Sequence, residues 1–205
     1  ARGSWYVGQL PCARRLFAVW HILDLSTSPK SENHMTIALS QIMKPSTAQA
    51  FRGLVTILNK AKAEAEKTGA SEQAYLSARL FPDMSDMKWQ VQMITEFAIR
   101  GTARMTGVPA EKLPELAKEE DTFDALIARI GECAAIVEAA DDAVIDGNAD
   151  MQISMPVGPE QTMELDGQTY VMSFYIPNLF FHVTTAYNLL RAQGVPVGKR
   201  DYMGM

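Results

Sequence analysis

The chain has 205 residues, 47% hydrophobic and 21% charged, which suits one domain with a full core and leaves little room for a second. Its net charge of −5 supplies no basic face, so neither nucleic acid nor an anionic membrane surface is expected as a partner. No apolar run approaches the ~18 residues needed to span a bilayer; the longest, 170–181, is interrupted by Ser173, Pro177 and Asn178.

Residues 1–34 read differently from the rest. Arg2, Arg14 and Arg15 all precede the first acid, Asp24, and a short apolar run over 16–23 contains His21. Such a segment is either a leader for organelle import or an extension upstream of the natural start. The polar stretch STSPKSEN (26–33) is a linker, and Met35 is a natural beginning, so the folded domain is expected over 35–205.

The first helix is expected over 46–67. Phe51, Leu54, Val55 and Leu58 recur at the spacing of one buried face, and Gly69 stops it. A short helix over 71–80 is broken by Phe81-Pro82-Asp83. The second long helix spans 85–106, capped by Asp83 or Ser85, with Met93, Ile94, Phe97, Ala98 and Gly101 as its apolar stripe. A connector over 108–120 contains two prolines. The third helix, 122–140, has Asp121 as its cap and Phe123, Leu126, Ile127, Ile130 and Ile136 as its buried face. Residues 151–155 and 162–165 then alternate, and the turn residues 157–160 between them make a hairpin. The fourth long helix runs over 168–193. Its middle, FYIPNLFF (174–181), is apolar nearly all round, which predicts a central helix kinked by Pro177. The fold class is therefore all-α, an up-and-down-type four-helix bundle with a small β-hairpin inserted before the last helix.

The two cysteines, Cys12 and Cys133, form no CxxC pair and no disulfide framework, so a reducing, cytoplasmic setting is expected with Cys133 as a small core residue. Asp141, Asp142, Asp146 and Asp150 lack the glycine and terminal glutamate of a calcium loop.

On the last helix, Tyr175, Asn178, His182 and Thr185 follow one another at steps of three and four, on one face. Buried without partners, each polar group would cost about 1–3 kcal/mol, so they either bond within the core or line a cavity. One reading makes His182 an acid/base group, with Tyr175 as a proton donor and Asn178 and Thr185 contacting a small organic molecule. The other makes His182 a satisfied core histidine. Arg79 and Asp83, before the second long helix, and the tail Lys199-Arg200-Asp201-Tyr202 suggest either an anion-binding rim or, preferably, an ion-pair network that pins the tail or simply solvated charge.

Three segments, ARLFPDM (78–84), NLFFHVTTAY (178–187) and GVPVGKRDYMG (194–204), resemble the DinB-like (YfiT-like) metalloenzyme superfamily, in a branch known only as a domain of unknown function. The resemblance covers about 35–204. It implies a divalent metal held by one histidine of the second helix and an HxxxH pair on the last. Here His182 takes the second place of that pair and Asn178 the first, while the second helix has no histidine, only Gln92 and Glu96 as polar candidates. His182, Asn178 and Glu96 fall short of the three ligands of a catalytic zinc site, so no cofactor is expected. Three functions are then open: a metal-free pocket protein or enzyme around His182, a metal-dependent thiol transferase or isomerase, or a non-catalytic bundle that forms a homodimer.

Overall fold

The structure, a computed structural model, describes residues 37–109, 112, 116–156 and 161–205. The leader or extension over 1–34, the start at Met35, Cys12 and the hairpin turn over 157–160 lie outside the described residues.

Helix α1 (Leu39–Thr68) starts seven residues before its sequence-based boundary and runs through Pro45. Proline there forfeits one helical bond. Tertiary contacts outweigh the loss. Leu39 and Met43, on the added turns, are buried. Asp146 accepts hydrogen bonds from the backbone N–H of Ser40 at 2.8 Å and from its hydroxyl at 3.0 Å. A distant carboxylate thus does what a local cap would do for a free N–H at a helix start. Lys44 donates to the carbonyl of Ala140 and pairs with Asp142 at 2.5 Å. The acidic stretch that begins at Asp141 is partly helical, α5 (Asp142–Gly147), capped by Asp141.

After the short α2 (Glu72–Leu76), α3 (Met87–Met105) is capped by Asp86, which accepts from the N–H of Trp89 at 2.9 Å; neither Asp83 nor Ser85 serves. Helix α4 (Phe123–Ala139) is capped by Thr122 rather than Asp121. Its buried face is Phe123, Leu126, Arg129, Ile130, Cys133 and Val137, whereas Ile136 is 52% exposed. Strands β1 (Gln152–Pro156) and β2 (Thr162–Asp166) pair antiparallel with Gln152 opposite Asp166. The last helical rod begins as the short turn α6 (Gly167–Thr169), passes through a π turn over Tyr170–Tyr175, and continues as α7 (Ile176–Ala192). The disturbance expected at Pro177 takes this form: the missing N–H falls in the first turn of α7, and the wider i→i+5 turn lies just before it.

Polar pairs at the two ends set the helix directions. Lys44 meets the end of α4 and Lys62 its start at Asp124, so α1 and α4 are antiparallel. Lys88 pairs with Asp121 at the start of α4, and Thr95 meets Arg129, so α3 and α4 run parallel. Helix α7 is antiparallel to α3, with His182 at Gln90 and Tyr175 against Gly101, and parallel to α1, with Tyr175 at Thr47 and Pro196, just beyond α7, at Lys60. The four run up, down, down, up. Each of α4 and α7 packs on both α1 and α3. The apolar α7 is therefore one wall of the bundle rather than its centre, and Phe181 is 59% exposed. The C-terminal α8 (Lys199–Tyr202) lies on α1. Lys60 pairs with Asp201 at 2.8 Å, and Tyr202 stacks edge-on with Tyr187. One ion pair and these rings hold the tail in place, while the contacts of Arg79 are with Met84 and Asp86 instead. Among the described residues no helix is long and apolar enough to cross a membrane.

Candidate functional site

His182 sits on the second turn of α7, 6% exposed, facing the first turn of α3. Its Nδ1 lies 2.8 Å from Oε1 of Gln90, a residue itself 2% exposed. The tautomer follows from the next bond along. The Gln90 amide nitrogen donates to the carbonyl of Ser85 at 3.2 Å, which fixes the amide oxygen toward the ring. That oxygen only accepts, so His182 carries its proton on Nδ1 and presents a lone pair at Nε2. Nε2 has no hydrogen-bond partner among the described residues and is not among the fully buried polar atoms.

Three aromatic rings enclose the imidazole. Phe97 stacks on it with centroids 5.5 Å apart, Trp89 meets it edge-on at 5.5 Å, and Phe181 edge-on at 5.2 Å. Desolvation by these rings disfavours the charged form and pushes the pKa down to about 4. At neutral pH the ring is an uncharged acceptor.

The other residues of the expected line have separate surroundings. Tyr175 is fully buried; its hydroxyl reaches across the core to Thr47 on α1 at 2.6 Å, and its ring packs over Gly101 of α3. Burial drives its phenol well above the ordinary range. It stands seven residues, about 10 Å of helix, from His182 and shares no hydrogen-bond partner with it. Asn178 is half-buried and donates to the carbonyl of Phe174 at 2.7 Å. Thr185 is buried and donates to the carbonyl of Phe181 at 2.8 Å. Arg79 and Asp83 are both exposed. Arg79 donates to the Met84 carbonyl at 2.6 Å and lies 3.7 Å from Asp86, which closes the loop before α3. Cys133 is buried and its thiol is pushed up to about 11 by desolvation, as suits a core residue.

Two further features carry no signal in the sequence. The first is a polar cluster between α3 and α4. Arg129 donates from Nε to Thr95 at 2.6 Å and from Nη1 to Glu120 at 2.6 Å, and Gln92 donates to Glu120 at 2.8 Å. Burial opposes the charged form of Glu120, but the bonds from Gln92 and Arg129 outweigh it and hold the carboxyl below its usual range. The second is a cleft of about 240 Å³ between α3, β1 and the π turn, whose lining includes Phe97, Arg100, Arg104 and Phe174. Phe97 is the wall it shares with His182.

The donors do not fit the metal that the fold resemblance implies. Gln92 is spent on Glu120, and Glu96 pairs with Lys118 at 3.0 Å. Asn178 spends its amide on its own helix, and the α3 residue that meets His182 is Gln90, a neutral amide. One imidazole nitrogen among neutral amides is a poor set for a transition ion, which takes imidazole, thiolate or carboxylate. Among the described residues no three His, Cys, Asp or Glu side chains converge.

The model of a family described as a domain of unknown function, DUF1993, matches residues 39–203. The crystal structure of a DinB family member from Shewanella denitrificans is 34% identical, covering 82% of this chain and 92% of its own, with a TM-score of 0.74. No curated protein matches the chain.

Proposed function

The chain belongs to the DUF1993 family and has a DinB-like helical bundle fold, and on that footing we propose that it binds a small organic molecule through Nε2 of His182, without a metal. The observation that carries this reading is the chain of bonds from the Ser85 carbonyl through Gln90 to Nδ1. It orients one ring and leaves its basic nitrogen unspent. Any buried histidine must satisfy its N–H in this way; what points to a ligand is Nε2, an acceptor without a partner among the described residues and open to a ligand N–H or O–H.

As a base the free imidazole is weak, because its pKa of about 4 lies well below neutrality. A ligand bearing negative charge beside it would favour the imidazolium and raise that value. Proton abstraction by His182 is therefore coupled to binding: the ring stays uncharged until an anion arrives. Tyr175, held to Thr47, contributes to the core, and Asn178 supports the helix after the π turn.

The test is a thermal-shift screen of small organic acids, amides and alcohols against the native chain and His182→Ala. Compounds that bind the folded state raise Tm by mass action. The expected result is a set of compounds that stabilise the native chain and lose most of that effect in the variant. Hits that shift both proteins equally would remove His182 from the site.

A further inference from the structure

We propose that the cleft between α3, β1 and the π turn recognises a small organic carboxylate with an apolar body, held by Arg100 and Arg104. This names a ligand class for the α3–α7 region and rests on the reading of that region as a small-molecule site.

Arg100 and Arg104 stand one helical turn apart on α3 and both line the cleft. Two like charges at that spacing repel. Neither has a carboxylate partner among the described residues. Arg104 makes a 3.4 Å hydrogen bond to the hydroxyl of Tyr170 and lies 5.9 Å from the centre of that ring, which supports the guanidinium without neutralising it. Nε of Arg100 is buried and unbonded. Glu96 also lines the cleft, but its charge is taken by Lys118 at 3.0 Å. In a chain of net charge −5, this cleft gathers two arginines with no ion-pair partner among the described residues, against one carboxylate, Glu96, which lies one turn before Arg100 and is bonded to Lys118.

An anion resolves that arrangement. A carboxylate offers two oxygens to guanidinium donors in a geometry that favours planar, paired hydrogen bonds. The rest of the lining selects what the anion is attached to. Phe97 and Phe174 lie with centroids 6.0 Å apart, and Met155 of β1 joins them. These surfaces gain nothing from a bare ion and bury an aromatic or aliphatic group. The volume of about 240 Å³ lies below the usual range for ligand sites and suits a short-chain or aromatic acid. Phe97 has His182 stacked on it at 5.5 Å, so charge entering the cleft lies one ring from the imidazole.

The experiment is calorimetric titration of the full chain with phenylacetate, benzoate and hexanoate, alongside phenylacetamide, acetate and inorganic phosphate. It is repeated on Arg100→Gln, Arg104→Gln and His182→Gln, each first shown to fold by circular dichroism and an unchanged unfolding midpoint. The apolar carboxylates are expected to bind saturably, at least tenfold more tightly than phenylacetamide, acetate or phosphate. Each arginine variant is expected to weaken phenylacetate tenfold or more. Equal binding of acid and amide, full binding by either arginine variant, or no saturable binding of any acid at millimolar concentration overturns the proposal. The His182→Gln arm separates the two readings. Unchanged phenylacetate affinity there, with loss in the arginine variants, supports the cleft and refutes His182 as a ligand contact. Loss there with both arginine variants unaffected does the reverse.

Discussion

Lowering the pH should destabilise this protein through His182 by an amount that can be worked out beforehand. The folded-state pKa is about 4, against 6.5 for a free imidazole. Because the folded value is the lower one, the unfolded chain binds the proton first. The neutral-ring contribution is complete above pH 6.5, falls as pH drops through the window from about 6.5 to 4, and has no further slope below it. Between pH 7.5 and 5.0 the two values give a loss of about 2 kcal/mol, at roughly 1.4 kcal/mol for each pH step of one below 6.5. That is an upper figure, since Nε2 keeps some contact with water. Carboxylates titrate in the same range, so native protein alone does not isolate the effect. The difference between native and His182→Gln does, because every other group is common to both. Urea unfolding of the pair at pH 7.5, 6.5, 5.5 and 5.0 should show the stability difference changing by about 1–2 kcal/mol, with the native chain losing more as pH falls. Parallel curves for the two proteins would refute the desolvated, neutral imidazole. NMR titration gives the same answer independently: one of the three imidazoles, absent from the spectrum of the variant, should remain unprotonated at pH 5.5.

Two further substitutions test the frame that holds the site. Arg129→Met should cost about 2–3 kcal/mol in urea unfolding, because it strips the cation from Glu120 while that carboxyl stays mostly buried; adding Glu120→Gln should recover part of the loss, and a cost under about 0.5 kcal/mol would show the cluster to be dispensable. Gly53→Ala places a methyl group on the backbone carbonyl of Tyr202, so α8 must shift; a loss of about 1–3 kcal/mol and faster proteolysis of the C-terminus are expected, and an unchanged midpoint would contradict the packing of α8 on α1.

The residues that were legible in the sequence, and those that were not, divide along a physical line. Apolar recurrence located all four long helices and the alternation located the hairpin, because period and burial are coupled within a single element. What escaped depended on partners far along the chain. Helix α1 reaches back past Pro45 since Asp146, more than a hundred residues later, bonds its free N–H. Helix α4 buries Arg129 instead of Ile136 because Glu120 and Thr95 wait for a guanidinium there. No local pattern announces either. The same limit applied to the site. Spacing put Tyr175, Asn178 and His182 on one side of a helix, and periodicity could say no more than that. Each then found a different acceptor or donor: Thr47 on α1, Phe174 within its own helix, and Gln90 on α3. Gln90 had no signal of its own, being one polar residue between Trp89 and Val91 at the start of a helix. It nevertheless decides the chemistry, since a carboxylate in its place would hold the ring protonated, whereas an amide oxygen fixes the proton on Nδ1 and leaves the ring neutral. The imidazole was legible as a candidate from its burial, and its protonation state was not, because that state is set by one amide ninety-two residues away and three rings packed around it.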